Sequence, residues 1–286
     1  MGGKIGVIGG SGLYAMEGLQ EVEEVQIETP FGLPSDAYIT GTLHGRQMVF
    51  LPRHGRGHRV PPSALNYRAN IYGFKSLGVE WLISVSAVGS MQENIHPGDL
   101  VIPDQFFDRT RSRISTFFDQ DVVAHVSFAD PICPTVAEAL HQAATHLDMT
   151  IHFGGVYLCI EGPQFSTRAE SRIYRQWGVD VIGMTNLPEA RLAREAELCY
   201  ATLAIATDYD CWHETQEDVD IHSILAILQR GAKQAQDIIG RVVPHLHGER
   251  CCPCSHALQQ AIITSPEVMS DAARQRLQLL ISRYIT

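Results

Sequence analysis

The 286-residue chain has no uninterrupted apolar run of about 20 residues, so nothing in it reads as a transmembrane helix. It also lacks an excess of basic charge: 22 lysines and arginines stand against 32 aspartates and glutamates, a formal net charge of -10. A nucleic-acid or membrane-surface binder would present a broad basic face, so neither partner is expected. No repeat, low-complexity block or long linker interrupts the chain. Met1-Gly2-Gly3-Lys4 passes at once into a strand-like run, without the pattern of a secretory leader, and a cytoplasmic location is expected. Two nucleotide fingerprints are missing as well. Gly9-Gly10-Ser11-Gly12 follows an apolar run, but its spacing is not that of a dinucleotide loop, and no lysine follows as in a P-loop.

What is present suits a soluble enzyme: 45% hydrophobic and 19% charged residues allow a sizeable core. Short apolar runs at 4–9, 47–51, 81–86, 99–103, 155–160, 181–184 and 199–207 read as strands. Helical spacing recurs at 66–77, 133–146, 189–198, 222–243 and near 268–284. Interleaved in this way, they predict an α/β fold, a single-domain mixed β-sheet flanked by helices on both faces. The catalytic domain is expected over 1–248. Residues 249–286 form a cysteine-containing C-terminal extension, packed on the domain or on a neighbouring subunit.

Of seven cysteines, Cys133, Cys159, Cys199 and Cys211 are dispersed and read as reduced thiols. Cys251, Cys252 and Cys254 cluster, but no second cysteine or histidine pair follows at zinc-binding spacing. A disulfide or redox-sensitive clip is therefore expected there rather than a metal.

The densest chemistry lies in Leu51-Pro52-Arg53-His54-Gly55-Arg56-Gly57-His58-Arg59, three arginines and two histidines hinged on glycines after a strand. Guanidinium forks suit phosphate or carboxylate oxygens, and glycine lets the backbone approach a ligand, so the loop reads as a small-anion site. His54 and His58 stand four apart, but with glycines between them they do not form a zinc-protease helix. The turn at 9–12 and Ser86-Ala87-Val88-Gly89-Ser90 offer further anion-binding N–H and hydroxyl groups. Glu161-Gly162-Pro163-Gln164-Phe165-Ser166 sets an aromatic ring beside a hydroxyl, as a planar ligand needs. Asp208 and Asp210 follow another apolar strand. A metal pair is disfavoured because no further ligand stands at a supporting spacing, and capping would occupy only one of them. In a partly apolar pocket such a carboxyl has a raised pKa and can donate a proton to a ring nitrogen.

Taken together, Ile8-Gly9-Gly10-Ser11-Gly12, Pro52-Arg53-His54 through His58, Glu161 through Ser166, Met184-Thr185 and Ala206-Thr207-Asp208-Tyr209-Asp210-Cys211-Trp212 resemble the trimeric purine nucleoside phosphorylase superfamily. More narrowly, they resemble its members that cleave S-methyl-5′-thioadenosine. The resemblance spans about residues 4–245 and implies a purine nucleoside phosphorylase-like fold. It also implies phosphorolysis to adenine and 5-methylthioribose 1-phosphate, with inorganic phosphate as co-substrate and no cofactor.

The resemblance assigns phosphate to Ser11, Arg53, His54, Ser86, Ala87 and Thr185, with Arg53, His54 and Asp208 as the catalytic set. It places Met184 on the ribose and Phe165 on the purine, with Asp208 at N7 and the 6-amino group and Asp210 in support. Ser166 with Asp208 marks a preference for 6-aminopurines. Ile221, Ile224 and Leu225 would receive an apolar 5′ group, although the same spacing suits plain helix core. His125 would reach an adjacent subunit, in a homotrimer or a hexamer built from two trimers. Ser11 and Ser86 replace the threonine of many relatives but keep the hydroxyl. The segment after residue 248 resembles only some members. Broader purine or methylthioinosine phosphorolysis is the alternative reading, and a non-catalytic nucleoside-binding module is the alternative of another class.

Overall fold

A computed structural model describes residues 3–10, 12–213 and 221–285, and for 221–225 the backbone alone. Among the described residues eleven strands build one mixed sheet. Its centre is parallel: β4 (Arg46–Pro52), β1 (Lys4–Gly9), β5 (Val79–Ser90) and β11 (Cys199–Asp208) lie side by side. These strands are apolar without alternation because helices cover both faces, and β11 is buried along nearly its whole length. Beside β4, the antiparallel β3 (Tyr38–Leu43) and β2 (Gln20–Val25) extend one edge. On the other side, β10 (Val181–Gly183), β9 (Val156–Ile160) and β7 (Gln105–Arg109) continue from the end of β5. β6 (Leu100–Ile102) and β8 (Ile151–Phe153) complete the sheet next to β11.

Helix α1 (Tyr67–Ser76) starts where the Asn66 side chain accepts from the Ala69 N–H, and it packs with α4 (Asn186–Glu195). Helices α2 (Pro134–His146) and α5 (Ile221–Val242) pack together against β11. Helix α3 (Arg168–Gln176) is short and polar, and is held by the Thr167–Glu170 capping box. The C-terminal extension shares the main core. Cys252, Cys254, Leu258, Met269, and Leu277, Leu280 and Ile281 of α6 (Asp271–Ile281) are all buried in it.

One irregularity in this sheet creates the site. β5 pairs with β1 only as far as Ser84, and β10 joins the same edge only at Gly89. Between them, residues 85–88 have β11 on one side and, among the described residues, no strand on the other. A cavity of about 500 Å³ opens along this interval, lined by Val85, Ser86, Ala87, Val88 and Gly89. Ligands of α/β sheets collect at such switch points, where neighbouring strands part.

Candidate active site

The cationic loop closes one end of the interval. Gly55 (φ 71), Gly57 (φ 78) and His58 (φ 53) are left-handed, which folds the loop back tightly and explains the glycine spacing. Arg53 is buried and plugs the split between strands. Its Nη1 donates to the Val85 carbonyl (2.9 Å) and its Nη2 to the Ile8 carbonyl (3.2 Å), two acceptors freed where β1 and β5 separate. Its Nε and Nη2 also grip Glu189 in a two-point ion pair (2.8 and 3.1 Å), and Glu189 further accepts from Ser84 and Tyr200. The Glu189 charge holds the guanidinium pKa above its usual value against the opposing effect of burial. Arg53 is thus a structural clamp as well as a cavity residue.

Burial and the Arg53 charge push the His54 imidazole down to about 4, so it is neutral near pH 7. Its Nδ1 lies 2.8 Å from the Val60 carbonyl, which can only accept, so Nδ1 carries the proton and Nε2 keeps its lone pair. His58 stacks on it at 4.1 Å and also lines the cavity. Arg56 instead bridges Glu24 and Asp36 on the surface. Because the His54 pKa falls from about 6.5 unfolded to about 4 folded, its stabilising contribution is complete above 6.5 and is lost as pH falls toward 4. We expect Tm to decline less steeply over that range in His54→Asn than in the wild type. Parallel profiles would place His54 in a solvated setting.

The rest of the anion end is built by β5 and the start of α4. Ser86 donates to Asn186 Oδ1 (3.0 Å), which draws Thr185, the residue before α4, to the same end of the cavity. About 10 Å farther along β5, three residues at strand rise, stands Gly89. There β11 carries a bulge: Ala206 pairs with Val88 and Asp208 with Gly89, leaving Thr207 extra and re-aiming Asp208 into the cavity. Asp208 accepts from Thr207 Oγ1 and from the Asp210 N–H, both at 2.7 Å. Burial nevertheless raises its pKa, and burial followed by the Asp208 charge raises that of Asp210.

A Cβ at position 89 would lie 3.0 Å from Asp208 Oδ1 and 3.3 Å from Asp210 Cβ. We therefore expect Gly89→Ala to lower kcat/KM by about ten- to hundredfold by displacing the carboxylate. Unchanged kinetics would show that the placement of Asp208 is not limiting.

Phe165 and Ser166 enter the cavity from the loop before α3. Phe165 is 53% exposed, and the Ser166 Oγ is enclosed with no hydrogen-bond partner. Met184 lies between β10 and α4. Gly162 leaves room for its thioether, and Arg113 holds its carbonyl at 2.7 Å. The cavity thus gathers Arg53, His54, Ser86, Ala87, Phe165, Ser166, Met184, Thr185, Asp208 and Asp210. Ser11 and the side chains of Ile221, Ile224 and Leu225 lie outside the described residues. The next two turns of α5 supply Leu228, Gln229 and Ala232 to the cavity. His125 is exposed and is not among the lining residues.

Residues 4–244 match the family model described as the phosphorylase superfamily. The chain belongs to the phosphorylase superfamily. Among curated relatives, an S-methyl-5′-thioadenosine phosphorylase of Geobacter sulfurreducens is 58% identical over 98% of this chain and 99% of that protein. Among solved structures, a methylthioadenosine phosphorylase from an antarctic soil metagenomic library superposes with a TM-score of 0.93 at 50% identity, covering 97% of this chain and 98% of that one. The Schistosoma mansoni methylthioadenosine phosphorylase in complex with adenine gives 0.83 at 34%, covering 98% of each.

Sequence reasoning left Glu189 and Thr207 without a role and counted Gly89 only among anion-binding groups, whereas it stands against Asp208. A buried arginine demands a buried acid, and Glu189, next to Pro188 in the first turn of α4, was a candidate that could have been used. His58, left out of the phosphate-binding set above, also lines the cavity, because its left-handed backbone turns the ring back onto His54.

Proposed function

We propose that this phosphorylase cleaves S-methyl-5′-thioadenosine with inorganic phosphate, giving adenine and 5-methylthioribose 1-phosphate. The observation that carries this reading is the separation of two chemistries along β5. An anion end around Arg53, His54, Ser86 and Thr185 stands about 10 Å from a buried carboxyl with a raised pKa, leaving room for a pentose between them. Phosphate held at the first end is positioned for attack on the anomeric carbon as the glycosidic bond breaks. The sugar becomes cationic in that transition state, and the phosphate charge stabilises it. Neutral His54 offers an Nε2 acceptor to a P–OH group. At the other end the departing purine gathers negative charge, and Asp208, whose neutral form burial favours, donates a proton to N7 in this reading.

The unpartnered Ser166 hydroxyl suits the edge of a 6-aminopurine, and Phe165 the face of its ring. Leu228 and Ala232, one and two turns beyond Ile224 and Leu225, support an apolar 5′ subsite, which accepts a methylthio group and penalises a hydrated hydroxyl. No metal or organic cofactor has a part in these steps. The exposed His125, whose backbone N–H donates to the Ala261 carbonyl at 2.8 Å, supports a homotrimer or hexamer in which its side chain reaches a neighbour's cavity. A cytoplasmic location fits the reading, and no described helix is long and apolar enough to cross a membrane. The test is adenine release measured with and without phosphate. Release that requires phosphate and yields the sugar phosphate supports the reading; tight nucleoside binding without release would make the chain a binding module.

A further inference from the structure

The cysteines separated in the sequence converge in the fold. Cys133 caps the N-terminus of α2, Cys199 opens β11, and Cys252 and Cys254 come from the C-terminal extension. All four are buried, and their sulfur atoms lie within 4.8 Å of one another. Cys133 and Cys199 are therefore not isolated core thiols. They supply the second pair of sulfurs that no local spacing provides.

We propose that Cys133, Cys199, Cys252 and Cys254 form a tetrathiolate site for zinc that fastens the C-terminal extension to the catalytic body. A tetrahedral site with Zn–S bonds of about 2.3 Å has sulfur–sulfur edges of about 3.8 Å. The Cys199–Cys252 separation is 3.3 Å and the full set fits inside 4.8 Å, so small side-chain adjustments close the shell. A disulfide would instead single out partners at about 2.05 Å, whereas all seven cysteines here are free thiols and these four are grouped together. Soft thiolates select zinc over hard cations. Binding forms four Zn–S bonds and releases four protons, with no change of oxidation state. The shell then carries two net negative charges, and Arg250 is placed to offset them: its Nη1 lies 3.9 Å from Cys199 Sγ and donates to the Glu197 carbonyl at 2.6 Å. The ligands come from three separated segments, so the cation acts as a cross-link between body and extension and lies apart from the nucleoside cavity.

The full-length protein, purified without chelator after growth in zinc-supplemented medium, is analysed for metal, thiols and intact mass. The expected result is about one zinc per chain, retained in Cys251→Ser, whose thiol lies outside the cluster, and lost in the Cys252→Ser/Cys254→Ser double variant. Wild-type protein loaded with Co(II) in place of zinc should show thiolate-to-cobalt charge-transfer absorption, a readout independent of whether the double variant folds. Removal of zinc should make the chain after residue 249 the first target of limited proteolysis. Metal-free protein with two disulfides, or metal-free protein with seven titratable thiols that shows no cobalt band, would overturn the proposal.

Discussion

Replacing Asp208 by asparagine should lower kcat/KM for methylthioadenosine by about 10²- to 10⁴-fold, the range of a lost general acid. The amide keeps the shape and can still hydrogen-bond N7, but it has no proton to transfer to the departing purine. Stability should change little, because the wild-type carboxyl is already disfavoured in its charged form by burial. Preference should also move toward 6-oxopurine nucleosides, since an amide presents both a donor and an acceptor to the base edge. The measurement is kcat/KM for adenine and hypoxanthine nucleosides in both proteins. An unchanged ratio with undiminished rates would remove Asp208 from the proton-donor role.

Glu189→Ala is expected to have the largest effect on stability, about 3–5 kcal/mol, because it leaves the Arg53 guanidinium buried without its counter-charge. Ser84 and Tyr200 lose the same acceptor. Phosphate should bind more weakly as well, since Arg53 is no longer fixed between the Ile8 and Val85 carbonyls. Urea titration gives the first quantity and the KM for phosphate the second. Glu189→Gln, which retains one carbonyl acceptor, should fall between. A midpoint within error of the wild type would show that Arg53 is held by its backbone acceptors alone.

The parallel centre of the sheet was legible because its strands are buried on both faces and appear as unbroken apolar runs. Strand β2 was not: Gln20-Glu21-Val22-Glu23-Glu24-Val25 is an exposed edge strand, and its pairing with β3, not burial, makes it a strand. Helix α3 escaped notice for a similar reason, since only Ser171 and Tyr174 are buried in it. The anion loop and the two aspartates could be found from residue type and position after strands. The β11 bulge and the clamp on Arg53 could not, because each depends on contacts between distant segments. The cysteine cluster shows the same limit: Cys133 and Cys199 are 66 and 53 residues from their nearest partners in sequence, and only the sheet and the returning extension bring them together.

Phosphate attack on a nucleoside held by its 6-aminopurine at one end and by an apolar 5′ group beside α5 is tested most directly by kcat/KM for methylthioadenosine, adenosine, methylthioinosine and inosine, measured side by side with saturating phosphate. The predicted order places methylthioadenosine first, with adenosine reduced by the hydrated 5′-hydroxyl and both inosine nucleosides reduced by the 6-oxo group. Equal or faster turnover of inosine, or no phosphate-dependent turnover of methylthioadenosine, would contradict the account.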